Sequence, residues 1–125
     1  MLQKQHHIAL IVSDWEKARA FYVEKLGFSL VREVWREQQQ DYLRMLRLGE
    51  TCLEVFVKPD APARVTNPEA MGLRHLAFHV ENVEETAAWL EGMGIETEPI
   101  RQDLVNGGGF TFFRDPDGLP LEIHE

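Results

Sequence analysis

Four residues carry ionisable side chains in settings suited to chemistry: His7, Glu54, His75 and Glu122. The separation from His7 to Glu54 equals that from His75 to Glu122, so the four form two copies of one spacing. Alternate side chains of a strand share a face. This groups His7 with Ala9 and Ile11, Glu54 with Cys52 and Phe56, and His75 with Ala77 and His79. An imidazole or carboxylate among apolar neighbours costs several kcal/mol unless it is paired, hydrogen-bonded or bound to a cation. Two facing glutamates repel, and a divalent ion turns that repulsion into binding. Two imidazoles and two carboxylates suit Ni, Zn, Co, Fe or Mn better than Ca or Mg, with remaining positions left for water that a substrate displaces. His7, Glu54, His75 and Glu122 are therefore the predicted metal ligands. A lone His or Glu in a strand is more often structural, and it is the paired spacing that argues for ligation.

The elements that must position these residues also repeat. An apolar run from His6 to Val12 predicts a strand, ending at Ser13-Asp14, which suit the cap of a helix over Trp15 to Lys25 with Gly27 as its stop. Strands are predicted over Phe28 to Arg36, Tyr42 to Leu48 and Cys52 to Lys58. The proline-containing stretch that follows reads as a linker at 60–72. The same order restarts with a strand at Leu73 to Val80, a helix from Val83 to Met93 stopped at Gly94, and strands at Glu96 to Gln102, Gly109 to Arg114 and Leu119 to His124. A constant shift pairs His7 with His75, Ala9 with Ala77, Val12 with Val80, Leu53 with Leu121 and Glu54 with Glu122. The prediction is an α+β domain over 1–125, built from tandem βαβββ modules at 1–59 and 73–125, each burying a face against its copy.

Other residues receive simpler readings. His6 is set opposite to His7, towards solvent or the helix layer. His79 lies four residues beyond His75 and His124 two beyond Glu122, each on the same face as that proposed ligand, which suits them to support the site or touch substrate. Cys52 reads as a small core residue. Trp15, Trp35 and Trp89 read as packing or interface residues, with Trp35 the best placed to line a pocket. Asp115-Pro116-Asp117-Gly118 has tight-turn chemistry and leads into the strand bearing Glu122, whereas Gly107-Gly108-Gly109 reads as a lid or plain loop. Arg36, Arg74, Arg101 and Arg114 are candidates to clamp an anionic substrate or are solvated surface charge.

Composition narrows the function class. With 13 Lys+Arg against 21 Asp+Glu, the net charge of −8 repels phosphate backbones, so nucleic acid is not an expected partner. A hydrophobic content of 44% supports a buried core. No segment reaches the roughly 20 apolar residues of a membrane span, and the apolar stretch from Ile8 to Val12 is too short for a signal peptide. The single Cys52 excludes an internal disulfide and fits a reducing compartment, so a cytoplasmic location is expected.

The segments HHIALIVSD, AFYVEKLGF, LEVF, LRHLAFHVENV, FTFFRDPDG and LPLEIHE resemble the vicinal oxygen chelate superfamily, which includes glyoxalase I, extradiol dioxygenases, fosfomycin-resistance proteins and methylmalonyl-CoA epimerases. The resemblance spans nearly the whole chain and points to a short glyoxalase I-like subgroup. It implies curved sheets enclosing a divalent metal, Ni or Zn foremost, at His7, Glu54, His75 and Glu122. The carboxylate at Glu54 matches the glyoxalase-like branch, in which a metal-bound glutamate moves a proton between neighbouring carbons. Carried over, Glu122 is the base and Glu54 the opposing acid/base. The arginine and asparagine that hold glutathione in glyoxalase I would correspond to Ile11 and Lys58, which argues against a glutathione substrate. The resemblance further implies a homodimer, with each metal site within one chain or shared across two. A non-catalytic binding protein of the bleomycin-resistance kind and an Fe-dependent dioxygenase are the alternative readings.

Overall fold

The computed structural model describes residues 1–125, whose contacts divide into two compact units, Met1–Pro62 and Ala63–Glu125. In the first, strands β1 (Ile8–Val12), β2 (Ser29–Arg36), β3 (Asp41–Leu48) and β4 (Thr51–Val57) form a sheet of order β1-β4-β3-β2. β1 runs parallel to β4, with Ala9 opposite Glu54, and the other pairings are antiparallel. In the second unit, β5 (Leu76–His79), β6 (Arg101–Gln102), β7 (Gly109–Arg114) and β8 (Pro120–His124) form a sheet of order β5-β8-β7-β6. There β5 runs parallel to β8, with Ala77 opposite Glu122. The α+β class with two βαβββ modules holds. No helix is long and apolar enough to cross a membrane.

Each sheet buries one face. Leu10, Val12, Leu46, Leu53 and Val55 are buried in the first unit together with Ala18, Phe21, Tyr22 and Phe28, and the Tyr22 and Phe28 rings meet edge-on. In the second, Leu76, Leu121, Ile123, Thr111 and Phe113 are buried, as are Val83, Ala87 and Leu90 of α2 (Val83–Gly92), which packs on β7 and β8. The period-2 alternation therefore leaves His7, Glu54, His75 and Glu122 on the other side of the chain from the Leu and Val positions.

The helices are matched in their starts and stops. Asp14 accepts the Lys17 N–H and Asn82 accepts the Glu85 N–H, each as an N-cap. Gly27 and Gly94 terminate them at positive φ, +88° and +78°. Between cap and glycine the first helix holds one residue more than the second. α1 (Trp15–Ala18) accordingly runs into a π-helical stretch over Arg19–Lys25, where Leu26 N–H bonds Phe21 O five residues back at 3.0 Å.

Several boundaries depart from expectation. His7 and His75 precede β1 and β5 rather than lying within them. Pairing with β4 begins only at Ile8, and the carbonyls of Leu73 and Arg74 accept from Arg64 Nη2 instead of a strand. The expected strand from Glu96 shrinks to Arg101–Gln102. Pro99 has no N–H to give, and the Glu98 carbonyl is taken by the Thr111 hydroxyl at 2.6 Å.

Candidate functional site

His7 and Glu54 come together in the first unit, with Nε2 3.2 Å from Oε2. His75 and Glu122 come together in the second at 2.8 Å. In both, the imidazole stands at the entry to the first strand and the carboxylate two registers deeper on its parallel neighbour. Glu122 is 8% exposed and sits opposite Phe112, whose ring meets His75 edge-on at 5.1 Å. Neither unit by itself gathers three or more metal-ligating side chains.

Glu122 is delivered by the turn before β8. The buried Asp115 carboxylate accepts the N–H groups of Asp117 and Leu119, both at 2.9 Å, and Gly118 takes φ +86°. The glycine-rich segment is a loop closed by its own hydrogen bonds, with Gly109 opening β7. Gly107 N–H bonds Asp103 O and Asp103 N–H bonds Gly108 O, both at 2.8 Å. A side chain on Gly109 would stand 2.7 Å from Val83 Cγ1, and one on Gly108 2.9 Å from Glu125 O.

His124, expected to support the site or touch substrate, is held by this loop. Its Nε2 meets Asp103 at 2.8 Å and its Nδ1 meets Glu125 O at 2.6 Å, while its ring stacks on Phe110. Both neighbours are acceptors, so both ring nitrogens donate and the imidazolium is favoured. The Asp103 hydrogen bond, followed by that to Glu125 O, holds the His124 pKa above its ordinary value. Hydrogen bonds from the Val105 N–H and then from His124 hold the Asp103 carboxyl below the usual range.

The remaining candidates are dispersed. His6 is not turned away from His7: its Nδ1 lies 2.9 Å from the Nδ1 of His7. Cys52 is a half-buried free thiol on the face of Glu54, and His79 is exposed. Trp35 is exposed, donates Nε1–H to Glu37 and meets Tyr42 edge-on. Trp15 lies under the Arg44 guanidinium at 4.3 Å, and Trp89 is exposed on α2. Arg36 forms a two-pronged pair with Asp41, at 2.8 and 2.7 Å, which raises the arginine pKa and lowers that of the aspartate. Lys58 reaches the same carboxylate at 3.6 Å, and Ile11 is exposed.

A cleft of about 440 Å³ opens within the second unit beside His75 and Glu122. Phe110, Phe112 and Arg114 line it from alternate positions of β7, and Arg101 stacks over both phenyl rings at 5.0 and 5.4 Å. Arg74 reaches it already held by Glu69, at 2.6 and 3.1 Å. Phe110, Phe112, Glu69 and Glu98 escaped the sequence reading. The period-2 alternation of Phe110, Phe112 and Arg114 was the available signal for the first two.

The family model of the glyoxalase/bleomycin resistance protein/dioxygenase superfamily matches residues 4–123. The chain is 52% identical to the uncharacterized protein YwkD of Bacillus subtilis, covering 100% of this chain and 98% of that one. A glyoxalase family protein from Enterococcus faecalis of known crystal structure is 51% identical, covers 98% of each chain and superposes with a TM-score of 0.92. A 2-epi-5-epi-valiolone epimerase from an Actinomyces species is 30% identical over 94% of this chain and 76% of its own. With nearly its whole length accounted for, the chain belongs to the glyoxalase/bleomycin resistance protein/dioxygenase superfamily.

Proposed function

We propose that this protein is a metal-dependent lyase or isomerase of the glyoxalase I type, moving a proton between neighbouring carbons of a small oxygenated substrate. The observation that carries the reading is the recurrence of one His–Glu pairing in both units, at 3.2 and 2.8 Å. In each pair an imidazole nitrogen and a carboxylate oxygen stand close enough to be held by one ion. Two nitrogens and two carboxylates make a donor set that fits Ni or Zn, with Co, Mn and Fe also compatible. The proposed ligands are thus His7, Glu54, His75 and Glu122, the two pairs being supplied by one chain or by two copies in a homodimer acting in the cytoplasm. When bound, the ion supplies Lewis acidity that lowers the pKa of a carbon-bound proton next to a carbonyl.

The residues divide the remaining work. Glu122, mostly buried beside Phe112, takes the proton on its carboxylate in surroundings where little water competes. Glu54 is the opposing acid/base. His75, within 2.8 Å of Glu122, fixes the direction in which that carboxylate points. The exposed Ile11, and Lys58 engaged with Asp41, offer no match to a glutathione-holding arginine and asparagine, so a substrate that does not carry glutathione suits the site better. The epimerase relative, whose name denotes inversion at one carbon, is in keeping with proton transfer.

Metal analysis of protein purified without chelator tests this, with Glu122→Gln and His75→Ala as variants. Both are expected to lose metal, and unchanged stoichiometry in both would sink the four-ligand site. Assay of methylglyoxal thiohemiacetals in D2O then tests proton transfer: solvent deuterium in the product, abolished by Glu122→Gln, is the expected result.

A further inference from the structure

The cleft of the second unit already holds a carboxylate, and it belongs to the protein. Glu98 Oε2 lies 3.1 Å from Arg114 Nη2, and its Oε1 lies 3.6 Å from Arg101 Nη2, so one planar carboxylate bridges two guanidinium groups with one oxygen to each. Neither guanidinium depends on Glu98 for its place. Arg101 stacks over Phe110 and Phe112, and Arg114 Nη1 donates to the Phe113 carbonyl at 3.2 Å. The Glu98 backbone is anchored separately, its N–H bonded to Phe112 O at 2.9 Å and its carbonyl to the Thr111 hydroxyl. Its side chain is 42% exposed and is free to swing into water without disturbing these backbone bonds.

The location gives the arrangement its meaning. Arg101 covers Phe112, and Phe112 lies directly across the β7–β8 pairing from Glu122. Arg101, Arg114 and Glu122 thus line one cleft of about 440 Å³, the size of a site for a small organic molecule. The third arginine of the cleft, Arg74, is neutralised by its two-pronged pair with Glu69 and leaves Arg101 and Arg114 as the groups with capacity to exchange partners.

We propose that Arg101 and Arg114 bind the carboxylate of the substrate in the place now taken by Glu98, so that the substrate class is a small carboxylic acid lying over Phe110 and Phe112. Glu98 is a built-in competitor that keeps the two guanidinium groups paired until the substrate arrives. The assignment rests on the reading of Glu122 as the base only in saying which end of the ligand reacts.

Mandelate, which has a carboxylate and a ring to lie on the phenyl floor, is the probe, with mandelamide as its neutral counterpart and inorganic phosphate as a tetrahedral anion. The full chain is titrated as purified and again after chelation, following the arginine Nε–Hε signals by NMR. Mandelate is expected to shift the Arg101 and Arg114 signals saturably in both preparations, and mandelamide is not. Arg114→Gln weakens mandelate by about tenfold through loss of a charge-assisted bond. Glu98→Gln, which removes the competitor and leaves both arginines, tightens it by about threefold, a gain that a purely structural role for Glu98 does not produce. The proposal is overturned by silent arginine signals, by an equal response to mandelamide, by Glu98→Gln leaving affinity unchanged or weaker, or by phosphate binding more tightly than mandelate at the same signals. Metal stoichiometry is read separately on the same samples. Loss of the metal reading with retained mandelate binding, or the reverse, tells the two failures apart.

Discussion

His75 Nε2 lies 2.8 Å from Glu122 Oε2, and Ala77, two residues beyond the histidine, is the strand partner of that glutamate. The same relation joins His7, Ala9 and Glu54. If the two pairs serve one ion, their four members are equivalent in kind. His7→Ala, Glu54→Gln, His75→Ala and Glu122→Gln are each expected to weaken metal binding by about 100-fold or more, since even loss of a ligand's hydrogen-bond partner costs about 10- to 100-fold. His79→Ala, on an exposed side chain, is expected to have no effect. Calorimetric titration of chelated protein with Zn or Ni checks this. An effect confined to one pair would reduce the site to two protein ligands.

The turn ahead of β8 makes a stability prediction. The Asp115 carboxylate takes two backbone N–H groups while only 6% exposed. Asp115→Ala leaves both donors without that acceptor, at a cost of about 2–3 kcal/mol. Urea denaturation measures the loss, and a change below about 0.5 kcal/mol, the level of an ordinary surface substitution, would remove the turn from the list of stabilising features.

At Gly109 the constraint is space. A Cβ would stand 2.7 Å from Val83 Cγ1, so Gly109→Ala is expected to destabilise the protein by about 1–3 kcal/mol. Val83→Ala removes the obstructing methyl. The double variant is therefore expected to lose less than the two single losses combined, and simple additivity would show that the clash is relieved some other way.

Acid stability should depend on Glu125. Hydrogen bonds from Val83 N–H at 3.0 Å and Gly109 N–H at 2.9 Å hold its carboxyl below the ordinary glutamate value. A carboxyl whose folded pKa lies below its unfolded one contributes stability in full above the unfolded value, and that contribution is lost as pH falls through the folded value. Thermal melts from pH 7 downwards should show a shallower acid-side decline in Glu125→Gln than in the parent chain. Parallel pH profiles would mean that the carboxylate does not tie α2 to β7.

The cores offer a matched pair. Leu53 and Leu121 are both fully buried, one residue ahead of Glu54 and Glu122. Each changed to Ala is expected to cost about 2–5 kcal/mol in chemical denaturation. A loss below 1 kcal/mol at either position would show that its sheet face can collapse around the gap.

Much of this was legible in the chain because alternation and capping are local. Leu53, Glu54 and Val55 divide between two faces by period alone, and Asp14 and Asn82 mark the helix starts by residue type. What escaped depended on partners far along the chain. Glu96–Ile100 reads as a strand, yet Thr111 takes the Glu98 carbonyl. Gly108 and Gly109 read as loop flexibility, yet they are small because Glu125 and Val83 press on them. The placement of Glu98 between Arg101 and Arg114 joins three residues whose charges, taken singly, look like solvated surface.

The π-helical stretch over Arg19–Lys25 alters how the duplication should be read. The first helix reaches its glycine one residue later than the second, yet His7-to-Glu54 and His75-to-Glu122 are equally long, so a length change of opposite sign must lie between glycine and glutamate. The matching intervals are the sum of two length differences that cancel. What the two units share is the parallel partnership of Ala9 with Glu54 and of Ala77 with Glu122. A search for relatives of either module alone should be anchored on that partnership and allow the intervals to drift.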